Sequence, residues 1–160
     1  MTKKEDRLAE AEYFLEKMTK HYADTKALNF NYSAFLNASR SVIQYIFEEV
    51  EHKPTKRALY DTFVGKNEVI QFFRDKRNIN IHERPVTNDS RSVTIHANCT
   101  YVITGQKEQP AKNWKPPTST VVNKITNWND VEEEIVEACT NYVDEIKKLL
   151  ADGRSKGYII

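Results

Sequence analysis

The chain has 160 residues, of which 39% are hydrophobic and 29% are charged, and its formal net charge at pH 7 is +1. This length predicts a single domain, residues 1–160, and the composition is that of a globular protein rather than a disordered one. The balanced charge excludes a chain-wide attraction to nucleic acid. Any RNA binding must therefore come from a local basic patch.

The sequence predicts a cytoplasmic protein. Its first residues are charged, without an apolar signal region, and no run of 18 apolar residues is present. Its two cysteines, Cys99 and Cys139, are too few for a disulfide framework. No His or Cys pair has metal-ligand spacing, so we expect neither a metal site nor another cofactor.

Helical periodicity covers the first half of the chain. Apolar residues recur in steps of three and four over residues 3–22, 30–51 and 67–83, and a short helix is predicted over 55–63 with Gly65 as its C-terminal cap. The second helix has the widest apolar arc. It is therefore expected to be central in a helical bundle.

The hydrophobic period changes from helical to alternating after residue 92. Odd positions are apolar from Val93 to Ile103, and they should face the bundle or a partner subunit, with Cys99 as a reduced packing residue. A loop is predicted over 105–118 and a return strand over 118–128. The final helix should be capped by Asn129 or Asp130, with Glu132–Glu134 at its positive end. Its expected buried residues are Val131, Ile135, Ala138, Tyr142, Ile146 and Leu149.

These elements predict a mostly α fold. It is an up-and-down bundle of four to five helices with a two-stranded β-hairpin inserted before the last helix, and residues 86–128 form the hairpin and loop insertion. The apolar tail, residues 157–160, is expected to fold back onto the body. Trp114, Trp128 and Tyr101 could stack on bases, but aromatic residues near a hairpin more often anchor it to the core.

Arg77, Asn78 and His82 are the candidate catalytic residues, at the end of the fourth predicted helix. Arginine offers a planar fork of donors to phosphate, and histidine titrates near neutral pH, which together suit metal-free cleavage of a phosphodiester. In a regular helix Asn78 and His82 share a face, whereas Arg77 lies about 140° from His82, within the apolar arc. The spacing alone favours a solvated helix end.

The pattern Arg77-Asn78-x-x-x-His82 resembles the signature of HEPN domains, which are helical-bundle proteins. The segment 31–42, Asn-Tyr-Ser-Ala-Phe-Leu-Asn-Ala-Ser-Arg-Ser-Val, is similar to an early helix of bacterial HEPN-like proteins. The resemblance covers roughly residues 5–85 and the last helix. It implies a metal-independent ribonuclease that acts as a homodimer, of the kind found in toxin–antitoxin, abortive-infection and CRISPR systems, with an antitoxin or another protein as a possible partner.

The resemblance also implies roles for individual residues. His82 would be the general acid or base, Arg77 would stabilise charge on the phosphate, and Asn78 would orient one of them. The basic residues around the motif, Arg74, Lys76 and Arg84, would bind the RNA backbone. The angular offset of Arg77 from His82 favours a composite site across a two-fold axis. The alternatives are a non-catalytic HEPN-like module that binds RNA, a nucleotide or a protein, and a structural dimerisation domain in which the motif is incidental.

Overall fold

A computed structural model describes residues 2–82, 89–95, 101–102, 109–110 and 118–160. For those of them that fall within 79–121, the backbone is described but the side chains are not. The described chain forms five helices: α1 (Lys3–Lys20), α2 (Thr25–Val50), α3 (Pro54–Lys66), α4 (Glu68–His82) and α5 (Ile135–Ser155). Its strands are β1 (Asp89–Ile95), β2 (Tyr101–Val102), β3 (Gln109–Pro110), β4 (Thr118–Thr126) and β5 (Glu132–Glu134). The predicted fold class, a helical bundle with an antiparallel hairpin before the last helix, is confirmed.

Helix α2 is the centre of the bundle, as its wide apolar arc predicts. It packs against each of the other four helices. Its buried row includes Tyr32, Phe35, Val42 and Ile46, all with no exposed surface. The helix begins at Asp24, whose carboxylate accepts hydrogen bonds from two backbone N–H groups of the first turn at 3.1 and 3.0 Å. This capping satisfies donors that the helix itself leaves unpaired.

The hairpin strands β1 and β4 pair in antiparallel register from Asp89↔Lys124 to Ile95↔Thr118. The expected inward-facing positions from Val93 to Ile103, including Cys99, lie outside the residues whose side chains are described. Strand β4 is held to the bundle by Asn123, which is fully buried. Its side-chain amide donates to the backbone oxygen of Tyr22 at 2.7 Å, and its backbone N–H donates to the Tyr22 hydroxyl at 2.9 Å.

The predicted start of the last helix is wrong. Glu132–Glu134 form strand β5, which pairs antiparallel with Lys124–Thr126 of β4, and α5 begins only at Ile135. The chain reverses between these strands through Asp130, with φ 56°, and Val131 is 56% exposed rather than buried. The backbone of the three glutamates gains sheet hydrogen bonds with β4, which outweighs their preference for a helix N-terminus.

Two further predictions concern helix and chain ends. Gly65 lies inside α3 rather than at its C-terminal cap, which is Asn67. The side-chain oxygen of Asn67 also accepts a hydrogen bond from the Ile70 N–H at 3.0 Å, at the start of α4. The C-terminal tail folds back as predicted, with Tyr158 and Ile159 buried.

Trp128 belongs to the partly buried shell around the core. Its ring packs edge-on against Phe72 at 6.0 Å, so its expected anchoring role is confirmed. Trp114 and the side chain of Tyr101 lie outside the description. No helix in the described part of the chain has the length and apolar character needed to cross a bilayer.

Candidate functional site

Helix α4 is fixed in the bundle by its aromatic face. Ile70 and Phe73 are 1% exposed, and the Phe73 ring stacks on Tyr142 of α5 at 4.4 Å with an interplanar angle of 3°. At the start of the helix, the Asn67 amide donates to the carboxylate of Glu145 on α5 at 2.6 Å. These contacts determine which side of α4 faces the core and which side faces out.

The three motif residues differ in environment. Arg77 follows Phe73 by one helical turn and is partly buried, and its Nε is a buried donor with no hydrogen-bond partner. Asn78 is exposed. His82 is the last residue of α4, and its side chain is not described. Because the helix is continuous through position 82, positions 77 and 82 are about 140° apart around its axis.

Two of the three expected substrate-binding residues, Arg74 and Lys76, lie on the same helix. Arg74 donates from Nε to Asp75 at 3.3 Å and retains 44% exposure of its side chain. Lys76 is partly exposed, with its ammonium 5.0 Å above the ring of Phe72. Arg84 lies outside the described residues. Positions 71, 74, 78 and 82 form one row along the helix, at one side of the Arg77 position.

Arg74 also lines a cavity of about 290 Å³ at the junction of four helices. The polar lining consists of three arginines from three helices with one glutamine, one carboxylate and two tyrosines: Arg40, Arg57, Arg74, Gln71, Asp61, Tyr60 and Tyr142. Its apolar wall includes Ile43, Phe47, Val64 and Ile70. Three guanidinium groups face one carboxylate, so the lining carries a formal charge of +2.

The arginines of the cavity are held to different degrees. Arg57 donates from Nε to both oxygens of Asp61, at 2.8 and 2.7 Å, and its guanidinium lies 4.3 Å over the ring of Phe47. Arg40 forms no hydrogen bond or ion pair with any described residue. Gln71 is fixed by donating from its amide to the Val64 carbonyl at 2.7 Å. One arginine is therefore preorganised, and another has an uncommitted guanidinium.

Tyr60 reports the electrostatics of the cavity. Burial raises the pKa of its phenol, and the Arg40 guanidinium is the strongest influence in the opposite direction. Asp61 raises the same pKa to a smaller extent, and Arg57 and Arg74 lower it. All three guanidinium groups therefore lower the pKa of the same phenol.

The sequence did not single out Arg40, Arg57 or Gln71 as site residues. Arg40 is part of the segment 31–42, but there it could only be read as part of a helix pattern. One signal in the sequence did mark Arg40. It precedes Ile43 and Phe47 on the apolar side of α2, where a charged residue is uncommon. The two histidines whose side chains are described, His21 and His52, lie at helix ends and are exposed.

Within the described residues, no group of three or more His, Cys, Asp or Glu side chains is arranged to hold a metal ion. Comparisons of the chain with family models, with curated proteins and with solved structures found no match.

Proposed function

We propose that this protein is a metal-independent endoribonuclease that acts as a homodimer through Arg77, Asn78 and His82. The observation that supports this most directly is the uninterrupted course of α4 to His82. It brings the end of the helix, with the exposed Asn78, onto the same row as Arg74 and its arginine-lined cavity. Arg74 and His82 are separated by about 12 Å along the helix axis, a distance that a short single-stranded RNA can span.

In the proposed reaction, the imidazole of His82 removes the proton from a ribose 2′-hydroxyl. The 2′-oxygen attacks the adjacent phosphorus, and the bond to the 5′-oxygen breaks as that oxygen takes a proton from water. The His82 imidazolium then returns its proton to the hydroxide that remains. The products are a 2′,3′-cyclic phosphate and a 5′-hydroxyl, and no oxidant or metal enters the balance. The guanidinium of Arg77 would stabilise the additional negative charge on the phosphate oxygens during the attack.

The geometry of α4 favours a composite site between two subunits. With an offset of about 140°, Arg77 and His82 of one regular helix cannot both point at the same phosphate. Arg77 nevertheless has a buried Nε without a partner, and such a donor is costly unless it becomes paired. A two-fold axis near α4 would allow His82 of one subunit and Arg77 of the other to meet at one phosphate.

The test is RNA cleavage by single variants. His82→Ala should lower the rate by about 100- to 10,000-fold, as expected for loss of a general acid or base. His52→Ala is the matched control, because His52 is 89% exposed at the end of α2 and should leave the rate unchanged. Arg77→Ala should also be inactive, and Arg77→Lys should recover only part of the rate because an ammonium lacks the planar fork. Cleavage should persist with a chelator; its loss with chelator, or its survival in His82→Ala, would refute the mechanism.

Mixing two inactive variants tests the composite site. In a randomised mixture of Arg77→Ala and His82→Ala subunits, half of the dimers contain one intact site out of two, so about a quarter of the wild-type activity should return. If each site is built within one subunit, the mixture stays inactive. A monomeric mass at micromolar concentration would also contradict the homodimer.

The arginine-lined cavity supports one alternative, a module that binds RNA or a nucleotide without cleaving it. Its positive charge and apolar wall suit a nucleotide whether or not cleavage occurs. RNA binding by a wild-type protein that shows no cleavage would favour this alternative.

A further inference from the structure

We infer that the cavity between α2, α3 and α4 is a binding site for the phosphate group of a nucleotide. This inference goes beyond the proposed nuclease, because it involves neither Arg77 nor His82. The cavity lies at the lower end of the size range of small-molecule sites, roughly 300–1,000 Å³. Its volume is about 290 Å³, enough for the phosphate-bearing part of such a ligand.

The charges of the lining select an anion. Arg57 is committed to Asp61 through Nε alone, which leaves its two terminal nitrogens without a described partner. Among the described residues, Arg40 has no hydrogen-bond or ion-pair partner, and Arg74 pairs with the exposed Asp75. Guanidinium groups match the oxygens of a phosphate with paired donors, so three of them around one opening form a phosphate site rather than a general polar pocket.

One of the three cations, Arg57, is also positioned in advance. The Phe47 ring supports Arg57 from one side, and the two hydrogen bonds to Asp61 fix its orientation. Tyr142 also lines the cavity and is itself held by its stack on Phe73. Preorganised donors lose little conformational entropy when a ligand binds. The chain, with a net charge of only +1, thus places a charge of +2 around one cavity.

The apolar wall indicates what else the ligand carries. Ile43, Val64 and Ile70 form a surface next to the guanidinium groups, and Tyr60 adds an aromatic ring with a hydroxyl. Inorganic phosphate would contact the guanidinium groups alone, whereas a sugar or base would also contact this apolar lining. The phosphate could belong to a free mononucleotide or to a unit of an RNA chain that continues along α4, and the two sources differ in which probe binds.

The experiment is calorimetric titration at constant ionic strength with adenosine monophosphate and with a short single-stranded RNA. His82→Ala protein is used in the RNA arm, so that the probe remains intact. Arg40→Gln should weaken binding by about 10- to 100-fold, because it removes hydrogen bonds between charged groups. Arg7→Gln is the matched control: it removes the same charge from an exposed position on α1, which does not line the cavity, and should leave the affinity unchanged.

A second variant tests whether misfolding, rather than the lost charge, explains weaker binding. Arg74→Gln changes a side chain at the rim, should melt at the wild-type temperature and should weaken binding in the same direction. Tight binding of the monophosphate identifies a free nucleotide as the ligand, and binding of the RNA alone identifies an RNA phosphate. The inference is overturned if neither probe binds, or if Arg40→Gln and Arg7→Gln weaken binding equally. Cleavage that fails while Arg40-dependent binding persists would refute the nuclease and leave this site intact.

Discussion

Two glycine-to-alanine substitutions should change stability in opposite directions. A Cβ at position 153 of α5 would lie 2.6 and 2.7 Å from two carbons of Ile159 and 2.9 Å from Tyr158. Overpacking a filled site costs about 1–3 kcal/mol, and the higher helix propensity of alanine offsets up to about 1 kcal/mol of this. We therefore expect Gly153→Ala to lower the free energy of unfolding by about 1–2 kcal/mol.

Gly65 of α3 is the matched control for this substitution. A Cβ there would have no atom within 4 Å, so Gly65→Ala should raise the free energy of unfolding by about 0.5–1 kcal/mol through helix propensity alone. The assay is urea unfolding at equilibrium, followed by circular dichroism, with equal m-values as the check that the same transition is measured.

Removal of the C-terminal tail tests whether steric crowding causes the stability loss of Gly153→Ala. Deleting residues 158–160 exposes the surface that Tyr158 and Ile159 cover, and the loss of their burial should cost about 3–6 kcal/mol. In that background the crowding is absent, so Gly153→Ala should become stabilising by up to about 1 kcal/mol. A Gly153→Ala penalty of the same size with and without the tail would refute the reasoning.

Three further outcomes are expected in the same assay. Tyr32→Phe should leave stability unchanged or raise it by about 1 kcal/mol, because the Tyr32 hydroxyl is buried with no described partner; a large loss would contradict this. Asn123→Ala should cost about 1–3 kcal/mol, because it leaves the Tyr22 carbonyl without its buried donor; no loss would mean that Asn123 does not hold β4. Burial raises the pKa values of Tyr142 and Tyr158, so stability should be complete below the unfolded tyrosine pKa of about 10 and fall as pH rises above it; unchanged unfolding midpoints up to about pH 11 would argue against this.

The helices could be predicted from the sequence because their signal is local. A row such as Val42, Ile46 and Val50 repeats at the helical period, and burial of this row is what stabilises α2. The error at Glu132–Glu134 has the opposite cause. Three acidic residues just before an apolar helix are favourable near its positive end, whether they form its first turn or a preceding strand. Their secondary structure depends on pairing with β4, which the local sequence pattern does not encode.

The motif at the end of α4 and the cavity beside it also differ in what the sequence can reveal. Arg77, Asn78 and His82 lie within one turn and a half of one helix, so their spacing is visible in the sequence. Arg40, Arg57 and Arg74 belong to three helices, and no linear spacing brings them together. What does so is the packing of apolar neighbours: Ile43, Tyr60 and Ile70 are each buried at the helix junction, and every one of them lies three or four residues from one of the arginines. Because each helix can bury its apolar row in only one orientation, the same packing that forms the core also turns three guanidinium groups toward one opening. The positive charge of this cavity is therefore a consequence of how the core packs, and the net charge of +1 does not reveal it.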